Sequence, residues 1–317
     1  MNQATAKPNK LSNFTKKYGI VLILVLLVAA ASILEPKFIS GKNITNVLRQ
    51  CAINSILATG MTFVIISGCI DLSVGSIFCF VGMTMLTLMP YVGWVGAIGI
   101  GLVIGAIIGA FNGYMIYRGM PAFIMTLAMS LILRGLAYMV SGGAPVAASD
   151  KAYMYIGQSY LAGVPVQVYV CILLCLLAAF VMMKTRFGRS VYALGGNSEV
   201  ARLSGINVKR IRILVYVISG VLAAVAAVIG TARLGSCEPT LGIEYHSDAI
   251  AATVIGGTVM SGGEGHQFKT LVGVFILGVL SNMLNLVGVS PYLQYVFKGA
   301  IIIIAVASDV FRRVKVH

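Results

Sequence analysis

The charges of this chain are separated by long apolar stretches, and this spacing constrains its fold more than any other feature of the sequence. Four stretches contain no charged residue: 46 residues between Asp71 and Arg118, 32 between Lys151 and Lys184, 20 between Arg212 and Arg233, and 28 between Lys269 and Lys298. A membrane-spanning helix needs roughly 20 predominantly apolar residues. Each stretch therefore has room for at least one span, and the first has room for two.

The composition excludes most other classes of protein. Of the 317 residues, 59% are hydrophobic and only 10% are charged, where a typical soluble chain carries about 25% charged residues. A soluble domain and an intrinsically disordered chain are both excluded. The net charge of +14 would suggest nucleic acid as the partner of a soluble protein. Here it indicates the excess of Lys and Arg in cytoplasmic loops, so we expect membrane lipid and no nucleic acid around this chain.

The apolar segments predict an all-α, polytopic membrane protein of about ten transmembrane helices. The spans are predicted at 19–34, 51–67, 72–89, 94–117, 122–140, 166–183, 211–232, 247–260, 270–287 and 293–307. The basic residues before the first span, in the 184–212 segment and after the last span predict that both termini are cytoplasmic. The chain then divides into a cytoplasmic tail at 1–18, a transmembrane domain at 19–310 with a cytoplasmic loop at 184–210, and a cytoplasmic tail at 311–317.

Small residues recur every four positions along the fourth predicted span. They are Gly93, Ala97, Gly101, Gly105, Gly109 and Gly113. This spacing lets helix backbones approach closely. Because an α-helix has 3.6 residues per turn, the stripe drifts around the helix along its length. We therefore expect this span to contact more than one neighbour and to lie centrally in the bundle.

The segment 184–212 is the longest predicted cytoplasmic loop and is too long for a simple turn. Within it, Asn197 or Ser198 can cap the start of a helix, and Glu199 suits the first helical turn. Gly205 can end the helix in a left-handed conformation. The pattern predicts a short helix outside the membrane, which either serves as a docking element or merely holds the sixth and seventh spans apart.

The sequence Glu199-Val200-Ala201-Arg202-Leu203-Ser204-Gly205 resembles E-A-A-x-x-x-G, the coupling-loop motif of ABC-importer permeases. Other stretches are similar to the ribose/galactose-type sugar permeases in particular. They are Gly188 to Asn197, Gly60-Met61-Thr62, Ile70 to Ser76, Pro121 to Leu127, and Ile255-Gly256-Gly257-Thr258 with Ser261-Gly262-Gly263. One departure from the broader motif is that Val215 to Ile218 stand where an Ile-x-Leu-Pro ending is usual.

The resemblance implies the permease subunit of an ATP-binding-cassette importer that moves a monosaccharide, first of all a ribose-like pentose, across the bacterial cytoplasmic membrane. It implies three partners: a separate ATP-binding subunit, a periplasmic or extracellular sugar-binding protein, and a second permease subunit, expected to be identical. The ATPase-coupling residues carried over by the resemblance are Asn197, Glu199, Ala201, Arg202 and Gly205. On the outer side, we expect Tyr153, Tyr155 and Tyr160 of the loop 141–165 to be available as contacts.

Polar side chains inside the predicted spans are the candidates for a translocation path or a gate. They are Asn54, Asp71, Asn112, Arg134, Asn282 and Gln294. For the amides, an interhelical hydrogen bond is an equally good interpretation. We expect Asp71 near the inner surface, where it need not be a buried charge and its carboxylate could instead cap the third span. Arg134 lies well inside the fifth span, so we expect it to face the interior of the bundle.

The sequence contains no pattern typical of an enzyme. The nucleotide-binding pattern G-x-x-x-x-G-K-[ST] is absent, and His246, His266 and His317 are too scattered to suggest a metal site. We therefore expect no catalytic residue, cofactor or metal. The alternative function is a secondary sugar transporter driven by an ion gradient, which would need titratable carboxylates within the membrane. Asp71 and Asp248 are the candidates for that role, and both could equally cap helices.

Overall fold

The computed structural model describes residues 10–314, and most of them are helical. The α-helices are α1 Lys10–Leu34, α2 Gly41–Ile66, α3 Val74–Tyr117, α4 Ala122–Ser141, α5 Lys151–Gln158, α6 Val166–Lys184, α7 Arg186–Gly196, α8 Ser198–Leu203, α9 Val208–Leu234, α10 Tyr245–Ile255, α11 Gln267–Leu286 and α12 Pro291–Val314. The strands are β1 Val146–Ala147, β2 Tyr160–Leu161, β3 Val164–Pro165 and β4 Ser236–Cys237. β1 pairs with β4 and β2 with β3, both antiparallel. The mainly helical fold predicted from the sequence is confirmed.

The two predicted tails overlap with helices. In the predicted tail 1–18, α1 already begins at Lys10, and residues 1–9 lie outside the described residues. In the predicted tail 311–317, α12 continues to Val314, and residues 315–317 lie outside the described residues.

Among residues 10–314, six helices are long and apolar enough to cross a membrane, namely α2, α3, α4, α6, α9 and α11. The apolar stretches Gly19–Leu34 of α1 and Pro291–Ile304 of α12 are shorter. The chain is thus a multi-pass membrane protein. Each of the ten predicted spans overlaps a helix, but α3 covers two of them and α10 has only 11 residues. The count of ten crossings and the cytoplasmic location of both termini stay predictions.

α3 folds back on itself near its middle. A straight helix of its 44 residues would be about 66 Å long, roughly twice the thickness of the hydrocarbon core. The helical backbone is interrupted at Gly93, where φ is 71° and ψ is 166°, three residues after Pro90. A Cβ atom on Gly101 would lie 2.7 Å from Cγ of Met85. The segments 94–117 and 74–92 therefore pack against each other, in the positions of the third and fourth predicted spans.

Glycines also bring the second half of α3 into backbone contact with α9. A Cβ atom on Gly105 would lie 2.5 Å from the carbonyl oxygen of Gly220, and one on Gly109 would overlap the carbonyl oxygen of Tyr216. Gly101 instead faces the first half of α3. The prediction that the small-residue stripe contacts more than one neighbour is confirmed. The expectation that this span lies centrally in the bundle is wrong, because Val103, Ile107 and Phe111 on its other side are exposed.

α2 lies at the centre of the bundle. In an apolar stretch of 18 residues of α2, 83% of the residues are buried, compared with 28% in the corresponding stretches of α3 and α4. α2 ends at Ile66, close to the end of α7, and α9 begins shortly after α8. We call this side of the bundle the α8 end, and the side where α9 finishes at Leu234 the far end.

Candidate functional site

The helix predicted around Glu199 is present, and a side chain caps its first turn. The Oδ1 atom of Asn197 accepts hydrogen bonds from the backbone N–H groups of Glu199 and Val200, both at 3.0 Å. These two N–H groups have no acceptor within the helix itself. Asn197, and not Ser198, is therefore the N-cap, which settles the alternative that the sequence left open.

The last turn of α8 is closed by backbone hydrogen bonds that require a glycine. Gly205 adopts a φ of 82°, a conformation that other residues rarely take. Its N–H donates to the carbonyl of Arg202, and the N–H of Ile206 donates to the carbonyl of Ala201, both at 3.1 Å. This pair of bonds is the Schellman motif. The prediction that Gly205 ends the helix in a left-handed conformation is thus confirmed.

α8 presents apolar side chains to its surroundings. Val200 is 57% exposed and Leu203 is 73% exposed, whereas Ala201 is buried against the rest of the chain. Beside them, Arg202 and Glu199 form an exposed ion pair at 2.6 Å. Hydrogen bonding to Arg202 lowers the pKa of the Glu199 carboxyl. The ion pair is therefore intact at neutral pH and is lost only as the pH falls through that lowered pKa.

Glycines pack the end of α7 against the loop that follows α2, residues 67–73, and against the glycine-rich tract 256–265. A Cβ atom on Gly195 would overlap the carbonyl oxygen of Ile66 and lie 2.5 Å from the nitrogen of Gly263. The N–H of Gly263 donates to the carbonyl of Ile66 at 2.9 Å. Ile66 is the last residue of α2, and in the loop that follows it a Cβ atom on Gly68 would lie 3.6 Å from Cα of Gly195. The end of α7 thus touches the end of α2, the 67–73 loop and the glycine-rich tract backbone to backbone. Because no flexible side chain lies between these backbones, a movement of α7 and α8 would be passed directly to the segments they contact.

Replacing Gly195 with alanine should destabilise the protein, whereas the same change at the adjacent Gly196 should not. The Cβ of the first variant meets backbone atoms that cannot rotate away, but a Cβ on Gly196 meets nothing within 4 Å. Overpacking of this kind costs about 1–3 kcal/mol, which corresponds to roughly 2–10 °C in Tm. Thermal unfolding of the two purified variants in detergent measures the difference. Equal Tm values would show that the contact at Gly195 is not tight.

Three side chains on one face of α9 bind the 67–73 loop. Counting along α9, Arg212 Nη1 donates to the carbonyl of Ser67 at 2.9 Å, the Tyr216 hydroxyl to the carbonyl of Ile70 at 2.8 Å, and the Ser219 hydroxyl to Asp71 Oδ2 at 2.9 Å. Spacings of four and three residues place the three donors on one side of the helix. The loop is therefore fixed to α9 along two turns.

Asp71 and Asn112 belong to one buried network. Asp71 is only 1% exposed, and its Oδ1 accepts from the N–H of Ser73 at 3.0 Å and from the Ser73 hydroxyl at 2.6 Å. Asn112 Nδ2 donates to the same hydroxyl at 3.0 Å. The expectation that Asp71 need not be buried is wrong. The predicted bond from the Ser73 N–H is present, but Ser73 is the residue that precedes α3, and no side chain caps the first turn of that helix. The buried carboxylate has donors on both oxygens, as such groups require.

Asn282 and Gln294 make hydrogen bonds between neighbouring segments. Asn282 of α11 and Asn43 of α2 each donate an amide N–H to the other at 2.8 Å. Gln294 Nε2 donates to Asn285 Oδ1 at 2.8 Å and to the carbonyl of Val289 at 3.0 Å. The interhelical hydrogen bonds expected of these two amides are present, and the structure does not bring them together with Asp71 and Asn112.

A polar cavity of about 420 Å³ lies towards the far end, between α2, α9, α10 and α12. Its charged and amide lining residues include Asn54, Arg233, Glu238, Glu244, Asp248 and Lys298. Of the six path candidates, Asn54 is the one that lines it. Arg134 supports its wall from α4, since its Nη1 donates to the carbonyls of Pro239 at 2.5 Å and Leu241 at 2.9 Å. The expectation that Arg134 faces the interior of the bundle is confirmed.

An ion group that was not predicted from the sequence lies at this cavity. Lys298 Nζ lies 2.8 Å from Glu244 Oε2 and 3.2 Å from Asp248 Oδ1. Asp248 therefore pairs with a cation, besides standing in the first turn of α10. A signal was available, because Lys298 falls inside the tenth predicted span, where an unpaired charge is unfavourable.

The tyrosines of the 141–165 loop differ in exposure. Tyr155 and Tyr160 are 71% and 53% exposed. Tyr153 is fully buried, and its hydroxyl donates to the carbonyl of Val228 at 3.0 Å. The expectation that Tyr153 is an available contact is wrong, because α5 turns this residue towards α9.

The family model described as the permease component of the branched-chain amino acid transport system matches residues 43–306. The ribose import permease protein RbsC of Haemophilus influenzae is 40% identical, over 95% of this chain and 97% of that protein. RbsC of Bacillus subtilis is 44% identical, over 93% and 92%. The D-allose permease AlsC of Escherichia coli is 37% identical, over 96% and 94%.

One solved structure is similar in fold. It is an inward-facing conformation of a metal-chelate type ABC transporter, with a TM-score of 0.50 and 12% sequence identity. The similarity covers 92% of this chain and 98% of that one. At this identity the comparison bears on the fold alone.

Proposed function

The chain belongs to the permease family of branched-chain amino acid transport systems. Within this family, we propose that it is the membrane-spanning subunit of an ATP-driven importer for a monosaccharide. The observation that carries the proposal is the 40–44% identity to ribose import permeases over more than nine-tenths of the chain. A ribose-like pentose is the first substrate to test. Similar permeases named for D-allose and xylose extend the test to other neutral monosaccharides.

The α8 end is assigned to the cytoplasm of a bacterial cell and the far end to the outside. Lys and Arg are dense around α8, as the positive-inside rule requires of a cytoplasmic loop. These cations are Lys184, Arg186, Arg189, Arg202, Lys209, Arg210 and Arg212. With ten crossings of the cytoplasmic membrane, both termini lie on this same side.

α8 is the docking element for a separate ATP-binding subunit. It is short, capped at both ends and rigid, and its exposed Val200 and Leu203 supply apolar contact area. The five coupling residues implied by the resemblance have different parts in this helix. Asn197 and Gly205 set its two ends, and buried Ala201 packs it against the rest of the chain. Glu199 and Arg202 add charged groups beside the apolar contact surface. ATP hydrolysis belongs to the partner, so this chain is a non-catalytic subunit without a cofactor.

Movement of α8 reaches the spans through the backbone contacts at Gly195. From α7 the contact passes to the end of α2 at Ile66 and to the 67–73 loop that follows it. The hydrogen bonds from Arg212, Tyr216 and Ser219 connect this loop to α9. α9 in turn packs on α3 through glycines. A second, identical permease subunit completes the importer, and a sugar-binding protein delivers the sugar at the far end, where Tyr155 and Tyr160 are exposed.

Reconstitution tests the proposal. The chain is placed in liposomes with and without its cognate ATP-binding subunit and binding protein, and uptake of radiolabelled D-ribose, D-xylose and D-allose is measured. We expect uptake only with ATP and all subunits present. Saturable accumulation by the chain alone, driven by a proton or sodium gradient, would instead establish the secondary-transporter alternative.

A further inference from the structure

We propose that the far-end cavity is a binding site for a neutral monosaccharide that is built entirely from one copy of the chain. The proposal rests on the function proposed above and adds where the sugar contacts the permease. It means that an importer of two identical subunits carries two such sites. Each would receive the sugar before it moves further through the membrane.

The position and size of the cavity fit a receiving site. It lies between α2, α9, α10 and α12, towards the end opposite to α8, which is the side from which an imported sugar arrives. Its volume of about 420 Å³ falls within the usual range of roughly 300–1,000 Å³ for small-molecule sites. The cavity is therefore large enough to hold a monosaccharide.

The charges of the cavity are unusual for this chain. The whole sequence has only nine acidic residues, and three of them, Glu238, Glu244 and Asp248, line this one cavity. Arg233 and Lys298 supply two positive charges there, so the formal charge of the lining is close to balanced, at −1. A neutral ligand suits such a lining, whereas an anionic sugar such as a sugar phosphate would meet net repulsion.

The polar groups also match the chemistry of a sugar. Each hydroxyl of a sugar both donates and accepts a hydrogen bond, so its site needs acceptors and donors close together. Carboxylates accept, and amides do both. Within residues 10–314, no hydrogen bond or ion pair engages the side chains of Asn54 and Glu238. These two groups are therefore available to a ligand, and Tyr245 and Tyr295 add aromatic surface to the lining.

Two sets of contacts hold the wall of the cavity in place, one from outside the cavity and one within its lining. Arg134 reaches from α4 to the carbonyls of Pro239 and Leu241, next to Glu238. Lys298 ties α12 to Glu244 and Asp248. A framework fixed in this way keeps the lining groups in position for a ligand. Sugar hydroxyls could replace Lys298 as hydrogen-bond donors to Glu244 and Asp248. The replacement would release α12 from its contact with α10.

Binding to the permease complex without its binding protein tests the site. The complex with its ATP-binding subunit is placed in nanodiscs, and binding of tritiated D-ribose is measured by scintillation proximity. We expect Asn54→Leu and Glu238→Gln each to weaken binding about tenfold, as the loss of one hydrogen bond to a ligand allows. The matched control is Asn46→Leu, because Asn46 is an exposed amide on the same helix outside the cavity. Unlabelled D-ribose should displace the label, and ribose 5-phosphate should not.

Uptake by the complete importer separates this proposal from the proposed function. At saturating loaded binding protein, both cavity variants should slow uptake while ATP hydrolysis still responds to the binding protein. Uptake and binding unchanged in both variants, with an active wild type, would overturn the cavity assignment alone. Displacement by ribose 5-phosphate equal to that by D-ribose would overturn it as well. A wild-type complex that imports no monosaccharide would overturn the proposed function and this site together.

Discussion

Replacing Val200 and Leu203 together with aspartate should abolish ATP-dependent sugar uptake while the permease still folds and inserts. Both side chains are exposed in the isolated subunit, so the change removes nothing from its core. If they are buried against the ATP-binding subunit, each contributes about 1.5 kcal/mol or more to binding. Their joint loss then weakens that binding about 100-fold or more, before the penalty for burying two carboxylates is added.

Two measurements report the result. Co-purification of the ATP-binding subunit with the tagged permease should be lost, and uptake in reconstituted liposomes should fall to background. The matched control is the pair Val200→Ile and Leu203→Met, which keeps an apolar surface of similar size and should retain both. Uptake that survives the aspartate pair would mean that α8 is a surface helix holding its neighbouring spans apart, and that the ATPase docks elsewhere.

Replacing Gly109 with valine should prevent the bundle from assembling. A Cβ atom at this position would overlap the carbonyl oxygen of Tyr216, and neither helix backbone can move without disturbing the contacts of its other glycines. We expect a destabilisation of about 3 kcal/mol or more, at the upper end for overpacking. The yield of monodisperse protein after detergent extraction, followed by size-exclusion chromatography of a fluorescent fusion, measures the effect.

The same helix provides the control for that variant. Gly99 lies on α3 with nothing within 4 Å of an added Cβ, so Gly99→Val introduces the same side chain without the clash. It should yield protein like the wild type. Equal loss of both variants would indicate an effect of valine on membrane insertion instead of on the contact between α3 and α9.

The sequence predicts well those structural features that depend on residues close together along the chain. Asn197 and Gly205 mark the two ends of α8, because a capping side chain precedes the first turn of a helix and a left-handed residue follows its last turn. The apolar segments likewise predict the helices, since a helix that contacts lipid or the core of the bundle needs apolar side chains. The fold-back inside α3 is predicted as well, because the third and fourth predicted spans, 72–89 and 94–117, end and begin on either side of Pro90 and Gly93. The exact limits of the spans are less certain.

The parts that the sequence does not predict depend on contacts between distant residues. Lys298 finds its carboxylates 54 and 50 positions away along the chain, and no local pattern links them. Asp71 looks like a helix cap near the surface because its partner Ser219 is 148 positions away. In the pair Gly195-Gly196, only the fold decides which glycine is crowded. Packing, and not residue type, distinguishes these positions.

The three hydrogen bonds between α9 and the 67–73 loop restrict how the transporter can change shape. Donors spaced over two helical turns cannot slide past their acceptors by a small step, since any partial shift breaks all three bonds at once. α9 and this loop should therefore travel as one rigid body between the inward- and outward-open states. Bending would then concentrate in the segments on either side of α9, which contain the left-handed glycines Gly205 and Gly235.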